Sequence, residues 1–326
     1  MNPPGGLRLK IAVLDDYLNV ASSLADWSGL HQAEVVFFTD PLPLEQDVRA
    51  QVLQDFDVVV AMRERTPFPA ELLAQLPKLR LLVTTGMRNH AIDMAAARAA
   101  NIDVCGAPGD PASAHATAEL TWALILALSK RIPKEAAAMR EGGWQSAMPE
   151  VLAGKRLGVV GLGKLGRQVA RIGQAFDMDV VAWSPNLTDE RAREAGVECV
   201  GKQALFASAD FISLHLVLSE QTAGIVDADS VRAMRPSAYL INTARAGLVD
   251  ERALFDALQS GAIAGAGLDV FEHEPLQVPH PLRTLDNVVL TPHLGYVSQP
   301  NFQAFYGHAV EAIASWSGGV PLRVLN

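Results

Sequence analysis

Short apolar runs alternate along the first third of the chain with stretches whose apolar residues recur at helical spacing. The runs predict strands at Leu9–Leu14, Glu34–Phe38, Val58–Ala61, Leu79–Val83 and Ile102–Cys105. The intervening stretches at residues 44–54 and 69–75 are amphipathic and predict helices. Because strands that alternate with helices form parallel sheets covered on both faces, this part of the chain predicts an α/β domain.

A second series of apolar runs begins after residue 156. It predicts strands at residues 157–160, 180–183, 211–214, 238–242, 266–270 and 288–291. Between the two series, Ala112–Arg131 is apolar on most sides and predicts a buried helix, followed by a turn-rich stretch at residues 141–154. The last segment, Asn301–Trp316, predicts one amphipathic helix. The pattern indicates two similar α/β halves, with the chain end returning to the first half.

Composition excludes several classes of protein. Of the 326 residues, 49% are hydrophobic and 19% are charged, which is typical of a globular protein. The net charge of −9 disfavours nucleic acid and anionic membrane surfaces as partners, so an anionic substrate needs a specific local cation. Two cysteines, Cys105 and Cys199, form neither a disulfide framework nor a metal site. Prolines and glycines in residues 1–10 argue against a signal peptide, and no apolar run is long enough to span a membrane, so we expect a cytoplasmic protein.

One glycine motif carries a specific chemical meaning. Gly161, Gly163 and Gly166 form a G-x-G-x-x-G sequence that directly follows an apolar run and opens a helical pattern. In that setting the first glycine permits a tight turn, the second lets a pyrophosphate approach the backbone, and the third lets the helix pack against the strand. The amides of Lys164 and Leu165 would then face the phosphates. The motif predicts a dinucleotide site.

The coenzyme, NAD or NADP, is left open by the residues that follow the next predicted strand. An NAD site usually has a carboxylate there, about 20 residues after the motif, that binds the ribose 2′-hydroxyl. Residues 180–188 contain no carboxylate, and Ser184 and Asn186 can hydrogen-bond either coenzyme. Arg191 and Arg193 lie further on, either turned towards the site or on a solvated helix face.

Three chemically suitable side chains follow strand ends in the second half of the chain. Arg245, Glu274 and His293 each come after a predicted strand, where ligands bind in open α/β sheets. An arginine can hold a substrate carboxylate through two parallel hydrogen bonds. A histidine can give or take a proton near neutral pH, and a neighbouring glutamate favours its protonated form and orients its ring.

Four segments, GLGKLG, INTARAGLVDERAL, AGAGLDVFEHEPL and TPHLGY, together resemble the D-isomer-specific 2-hydroxyacid dehydrogenases. The resemblance covers nearly the whole chain. It implies that Arg245 binds the substrate carboxylate, that His293 donates and accepts the proton, and that Glu274 is its partner. It also implies that Asp269 lies near the nicotinamide carboxamide and that Thr243, Ala244 and Gly295 line the cofactor pocket.

The resemblance further implies two Rossmann- or flavodoxin-like domains, each a doubly wound parallel sheet, with a cleft between them. Residues 1–106 and 297–326 would form the substrate domain, and residues 107–296 the NAD(P)-binding domain. Members are commonly homodimers through the cofactor domain. In the substrate domain we expect substrate contacts from Thr85, Gly86 and Met87, and Arg63 is a second candidate anion contact. Arg88 and His90 either add positive charge there or are solvated.

The implied activity is hydride transfer between NAD(P)(H) and a small D-2-hydroxy acid or 2-oxo acid, of the glyoxylate, hydroxypyruvate or phosphoglycerate type. Formate and phosphite dehydrogenases share the fold and the catalytic triad and are alternatives within the superfamily. The alternative from another class is an NAD(H)-sensing protein of the corepressor type, since some relatives with that role keep the same Arg, Glu and His.

Overall fold

The computed structural model of the chain describes residues 8–31 and 33–326. The chain divides into two compact units, one made of Met1–Ala114 with Ser298–Asn326 and the other of His115–Val297. The prediction that residues 1–10 are not a signal peptide falls mostly on residues outside the described part of the chain. Within the described part of the chain, no helix is both long enough and apolar enough to cross a membrane.

The strands of both units are parallel to their neighbours. They are β1 Leu9–Val13, β2 Ala33–Phe37, β3 Val58–Ala61, β4 Leu81–Thr85, β5 Asp103–Ala107, β6 Arg156–Val160, β7 Asp179–Trp183, β8 Glu198–Cys199, β9 Phe211–Leu214, β10 Tyr239–Asn242, β11 Gly265–Leu268 and β12 Val288–Leu290.

The α-helices connect successive strands or follow the last one. They are α1 Ala21–Leu24, α2 Gln46–Leu53, α3 Ala70–Leu73, α4 Met94–Ala99, α5 Ala116–Ser129, α6 Ile132–Arg140, α7 Lys164–Ala175, α8 Asp189–Glu194, α9 Lys202–Ser208, α10 Ala228–Ala233, α11 Glu251–Ser260 and α12 Gln299–Ser317.

The first unit is a five-stranded sheet in the order β2-β1-β3-β4-β5. That order is the flavodoxin-like doubly wound topology. Every residue of β3 and β4 is buried, because helices cover both faces of the sheet, and this explains why their sequences are continuous apolar runs rather than alternating ones. Helix α12, near the end of the sequence, belongs to this unit and packs on β4 and β5.

The second unit is a seven-stranded sheet in the order β12-β11-β10-β9-β6-β7-β8. The order reverses between β6 and β9, and in doubly wound sheets that reversal creates the crevice where a dinucleotide binds. Separate apolar clusters fill the two faces, one including Leu205, Leu240 and Leu254, the other including Trp122, Leu157 and Ile241. The predicted class, two doubly wound parallel-sheet domains, is confirmed for each unit.

Helix α5 is buried on several sides, as its nearly uniform apolar surface predicted. It packs on α7, β10 and β11. The helix approaches β11 closely, since a side chain at Gly267 would place its Cβ only 3.0 Å from the Leu124 Cβ. The predicted helix at residues 112–131 was too long, since Pro111–His115 forms a 3₁₀ turn before α5 begins. Among the elements that the sequence prediction did not name are α6 and the two-residue strand β8.

Candidate active site

The glycine motif forms a tight turn between β6 and α7. Gly161 has a φ of +101°, and a Cβ there would lie 2.8 Å from the carbonyl of His215. A Cβ at Gly166 would lie 2.0 Å from the Gly161 oxygen, so the third glycine is required for close helix packing. A Cβ at Gly163 would meet no described atom within 4 Å. The space above Gly163 is therefore open, as backbone contact with a pyrophosphate requires.

The first turn of α7 supplies the amides that the sequence assigned to the phosphates. Helix α7 begins at Lys164, and Leu165 follows within the same turn, where backbone N–H groups have no acceptor inside the helix. The dipole of this twelve-residue helix places a partial positive charge at its N-terminal end. Open space at Gly163 and these amides together fit the diphosphate of a dinucleotide.

His215 lies beside this turn and was not singled out from the sequence. Its Nε2 is 2.8 Å from the Ser213 hydroxyl. Burial lowers the pKa of His215 to about 4, so the ring is neutral near pH 7. Its backbone blocks any side chain at Gly161, and this contact between β6 and β9 could not be read from the local sequence.

Glu274 and His293 are brought together by the ends of β11 and β12. Nδ1 of His293 lies 2.6 Å from Oε2 of Glu274, and both side chains are about one-fifth exposed. The other carboxylate oxygen of Glu274 accepts a hydrogen bond from the Phe271 amide at 2.9 Å, which orients the carboxylate. An Nδ1–H donated to this carboxylate leaves Nε2 as the ring nitrogen that can exchange a proton with another molecule.

The loop that carries His293 is held by Asp269. This carboxylate is completely buried and accepts hydrogen bonds from the Thr291 hydroxyl at 2.6 Å and from the amides of Leu294 and Gly295 at 2.7 and 2.9 Å. Burial raises the pKa of Asp269, and these hydrogen bonds oppose the increase. His293 adopts a φ of +52°, which is unusual for a residue with a side chain, so the bonds to Asp269 stabilise a strained loop.

Arg245 follows β10 in a turn that Asn242 organises. The buried Asn242 side chain accepts a hydrogen bond from the Ala244 amide and donates one to the Arg245 carbonyl, both at 3.0 Å. One guanidinium nitrogen of Arg245 donates to the Ala244 carbonyl at 2.7 Å. Because β10, β11 and β12 are parallel neighbours, Arg245, Glu274 and His293 all follow the same edge of the sheet.

Two threonines on α5 connect the predicted pocket residues and were missed by the sequence analysis. The Thr121 hydroxyl lies 2.8 Å from the Thr243 hydroxyl, and the Thr117 hydroxyl donates to the Gly295 carbonyl at 2.7 Å. Thr117 and Thr121 are four residues apart and therefore lie on one side of the helix. The sequence did contain a signal for them, because two polar residues four positions apart stand out in an otherwise apolar helix.

In the first unit, the candidate substrate residues cluster at the ends of β3 and β4. The Arg63 amide donates to the Thr85 hydroxyl at 2.8 Å, and a Cβ at Gly86 would lie 2.0 Å from an Arg63 guanidinium nitrogen. Arg63 has a φ of +52°, and Asn89 stabilises this conformation through a bond from Nδ2 to the Arg63 carbonyl at 2.6 Å. Met87 comes next in the chain and is 43% exposed.

Among residues 8–31 and 33–326, no group of three His, Cys, Asp or Glu side chains has the arrangement of a metal site. At the ends of β11 and β12, the structure brings together the titratable groups of the Glu274–His293 pair and the nearby Asp269. Both cysteines are free thiols, and burial raises the pKa of Cys105 to about 11, which makes this thiol unreactive near pH 7.

Comparison with known proteins gives consistent results. A profile of the D-isomer specific 2-hydroxyacid dehydrogenase NAD-binding domain matches residues 122–295. D-3-phosphoglycerate dehydrogenase of Mycobacterium tuberculosis is 39% identical over 293 residues, which cover 89% of this chain and 53% of that protein. Glyoxylate reductase of Korarchaeum cryptofilum is 33% identical over 300 residues, covering 90% of each chain. A crystal structure of a phosphoglycerate oxidoreductase from Vibrio cholerae has 35% identity and a TM-score of 0.89, covering 96% of this chain and 100% of that one.

The chain spans about half the length of the phosphoglycerate dehydrogenases that it matches. Its similarity to the glyoxylate reductase and to the Vibrio cholerae structure nevertheless extends over nearly the whole of both chains. The family profile covers the residues from Trp122 to Gly295, which include the glycine turn, Arg245, Glu274 and His293. The chain therefore belongs to the D-isomer specific 2-hydroxyacid dehydrogenase family.

Proposed function

We propose that this protein moves a hydride between NAD(P)(H) and a small D-2-hydroxy acid or 2-oxo acid. The observation that carries the proposal is the 2.6 Å contact between His293 Nδ1 and Glu274 Oε2. It lies at the sheet edge that also presents Arg245 and the open glycine turn. Proton exchange, carboxylate binding and dinucleotide binding are the three capacities that this reaction requires.

The residues divide the chemistry among themselves. Arg245 binds the substrate carboxylate with its planar guanidinium and polarises the adjacent oxygen. His293 gives a proton from Nε2 to the carbonyl oxygen during reduction and takes it back during oxidation, and Glu274 stabilises the imidazolium. A bound nicotinamide supplies or accepts the hydride. Asp269, Thr243, Ala244 and Gly295 are proposed to border that ring.

The substrate is proposed to be a short 2-oxo acid such as glyoxylate or hydroxypyruvate, or a short 2-hydroxy acid of the phosphoglycerate type. In the first unit, Arg63, Thr85, Gly86 and Met87 form the corresponding group of substrate contacts. Their support is structural: the Arg63 guanidinium lies against Gly86, and both residues have positive φ angles. A guanidinium group is a suitable contact for an anionic substrate group.

The test is the loss of reduced-nicotinamide absorbance with a panel of 2-oxo acids, measured in parallel with NADH and NADPH. The panel contains glyoxylate, hydroxypyruvate, pyruvate, phenylpyruvate and phosphohydroxypyruvate. We expect turnover with at least one of them, and we expect His293→Ala to suppress turnover while coenzyme binding persists. Tight coenzyme binding by calorimetry with no turnover on the panel would contradict the proposal and favour a sensing role. Full activity of His293→Ala would overturn the proposed proton transfer.

We also propose that the protein is a homodimer through its second unit. Helix α6 and the segment after it expose large apolar side chains: Trp144 is 76% exposed, Met148 is 87% exposed and Val151 is 67% exposed. The segment is bonded to α6, since the Ser146 hydroxyl and amide donate to Glu135 at 2.6 and 3.1 Å. An exposed apolar surface of this kind is typical of an interface.

Light scattering after size-exclusion chromatography tests this assembly. The wild-type protein is expected to have the mass of two chains, and Trp144→Glu with Met148→Glu is expected to shift it towards one chain. Val217→Glu, at another exposed apolar residue, is the matched control and is expected to leave the mass unchanged. A wild-type protein with the mass of a single chain would refute the proposal.

A further inference from the structure

The end of β7 lies directly beside the glycine turn. Val160 pairs with Trp183, and the Gly161 amide donates to the Trp183 carbonyl at 2.8 Å, so Ser184 is the first residue beyond the sheet next to the turn. In dinucleotide-binding sheets this position meets the ribose of the adenosine half. A carboxylate here binds the 2′-hydroxyl of NAD and repels the 2′-phosphate of NADP.

The turn at this position offers hydrogen-bonding groups without negative charge. Residues 184–187 form a turn closed by a bond from the Leu187 amide to the Ser184 carbonyl at 3.1 Å. The Ser184 hydroxyl and the Asn186 carboxamide make no hydrogen bond to any other residue that the structure describes. Both groups are therefore available to an oxygen-rich ligand.

A guanidinium group lies next to this turn. Arg191 Nη1 donates to the Asn186 carbonyl at 3.4 Å, which folds the side chain back over the turn. Within residues 8–31 and 33–326, no carboxylate forms an ion pair with Arg191. Two acidic side chains of the same helix face other groups: Glu194 pairs with Arg167 at 3.6 Å, and Asp189 lies near Cys199, where burial and the charge of Asp189 raise the pKa of the thiol. Glu190 is exposed on the same helix.

We propose that this chain selects NADP(H) over NAD(H), with Arg191 and Ser184 binding the 2′-phosphate. The inference rests on the proposed function only in requiring that a dinucleotide binds at the glycine turn. A guanidinium binds phosphate through charge-assisted hydrogen bonds, and the Ser184 hydroxyl adds a neutral donor. Asn186 contributes its carboxamide to the adjacent ribose. The carboxylate that would exclude the phosphate is missing from residues 180–188.

Calorimetry with adenosine 2′,5′-bisphosphate and 5′-AMP tests the inference without relying on turnover. We expect the bisphosphate to bind more tightly than 5′-AMP, and Arg191→Ala to weaken bisphosphate binding by about tenfold or more while 5′-AMP binding stays the same. Arg193→Ala is the matched control, since it removes the same charge from the same exposed helix. Equal losses in the two variants would indicate a general field effect and would overturn the assignment to Arg191.

A second variant tests the same position with intact coenzymes. Ser184→Asp is expected to weaken NADPH binding by at least about tenfold and to preserve or strengthen NADH binding. If wild-type protein binds NADH as tightly as NADPH and turns over a 2-oxo acid, the proposed function stands and the coenzyme inference is wrong. If neither dinucleotide binds, both the proposed function and the inference are wrong.

Discussion

Replacing Glu274 with glutamine tests how the active site supports proton transfer. In the wild type the two carboxylate oxygens accept two hydrogen bonds, one from His293 Nδ1 at 2.6 Å and one from the Phe271 amide at 2.9 Å. A glutamine has one acceptor oxygen in place of two, and the two donors approach different oxygen positions, so in the wild-type geometry it can accept from only one of them. If its NH₂ group faces His293, the neutral ring can accept a bond at Nδ1, but the imidazolium, which is protonated at both nitrogens, cannot.

The magnitude follows from the bond that is lost. A hydrogen bond to a charged group contributes roughly 1.5–3 kcal/mol, and each 1.36 kcal/mol corresponds to a tenfold change in rate, so kcat is expected to fall by about 10- to 150-fold. Coenzyme binding is expected to be unchanged, because Glu274 belongs to the proton-transfer pair rather than to the glycine turn. Steady-state rates with the best 2-oxo acid of the panel, together with calorimetry of the coenzyme, measure both quantities.

Glu272→Gln provides the matched control, since Glu272 is exposed in the same segment and its substitution removes the same charge. Its kcat is expected to stay within about twofold of the wild type, because long-range effects of an exposed charge are screened. If Glu274→Gln kept the wild-type kcat, or if both variants lost activity equally, the contact between Glu274 and His293 would not support catalysis as proposed.

Three further predictions concern the glycine turn and stability. Gly163→Ala is expected to keep the wild-type Tm but to weaken coenzyme binding. Gly166→Ala is expected to lower the free energy of unfolding by roughly 1–3 kcal/mol or more, because its Cβ would lie 2.0 Å from a carbonyl oxygen. Equal Tm values of the two variants in thermal unfolding would contradict this contrast. Asp227 caps α10 by accepting a hydrogen bond from the Ser230 amide at 2.8 Å, and hydrogen bonds from Ser230 and Lys202 lower the pKa of Asp227. Asp227→Ala is therefore expected to lower the free energy of unfolding, measured in urea near neutral pH, by about 1 kcal/mol. Because the folded pKa is the lower one, this stabilisation is present above the ordinary aspartate range and is lost as the pH falls below it. Burial lowers the pKa of His215 from 6.5 to about 4, so the unfolded chain binds the proton more readily and the free energy of unfolding is expected to decrease as the pH falls through that interval. His215→Gln should reduce the decrease, and an unchanged pH dependence would show that His215 does not cause it.

The sequence predicted most strands within one or two residues because a strand in a doubly wound sheet is buried on both faces. Runs such as Val58–Ala61 and Phe211–Leu214 match the observed elements at both ends. Two of the elements that the sequence prediction did not name lack that signal. Strand β8 has only two residues, one of them exposed, and α6 is a helix with no buried residue. Where an element buries little surface, apolar periodicity gives no basis for prediction.

The site was predicted residue by residue, but its geometry was not. Arg245, Glu274 and His293 could be proposed because each follows a strand end and because their motifs resemble one family. Asn242, which organises the Arg245 turn, lies within one of these motifs but was not singled out, and Thr117, which donates to the Gly295 carbonyl, lies in none of them. Their roles depend on hydrogen bonds to backbone groups, which exist only when the strand ends and α5 have come together.

The sequence by itself determined the class of the fold, the position of the glycine turn and the types of side chain at the strand ends. Local properties are sufficient for these, since apolar runs, glycine spacing and residue chemistry are read within a few positions. Only the tertiary structure decided that Glu274 contacts His293, that Asp269 holds the loop around a strained histidine, and that Arg63 lies against Gly86. The members of each pair are about 20 residues or more apart, and the order and register of parallel strands determine which of them meet.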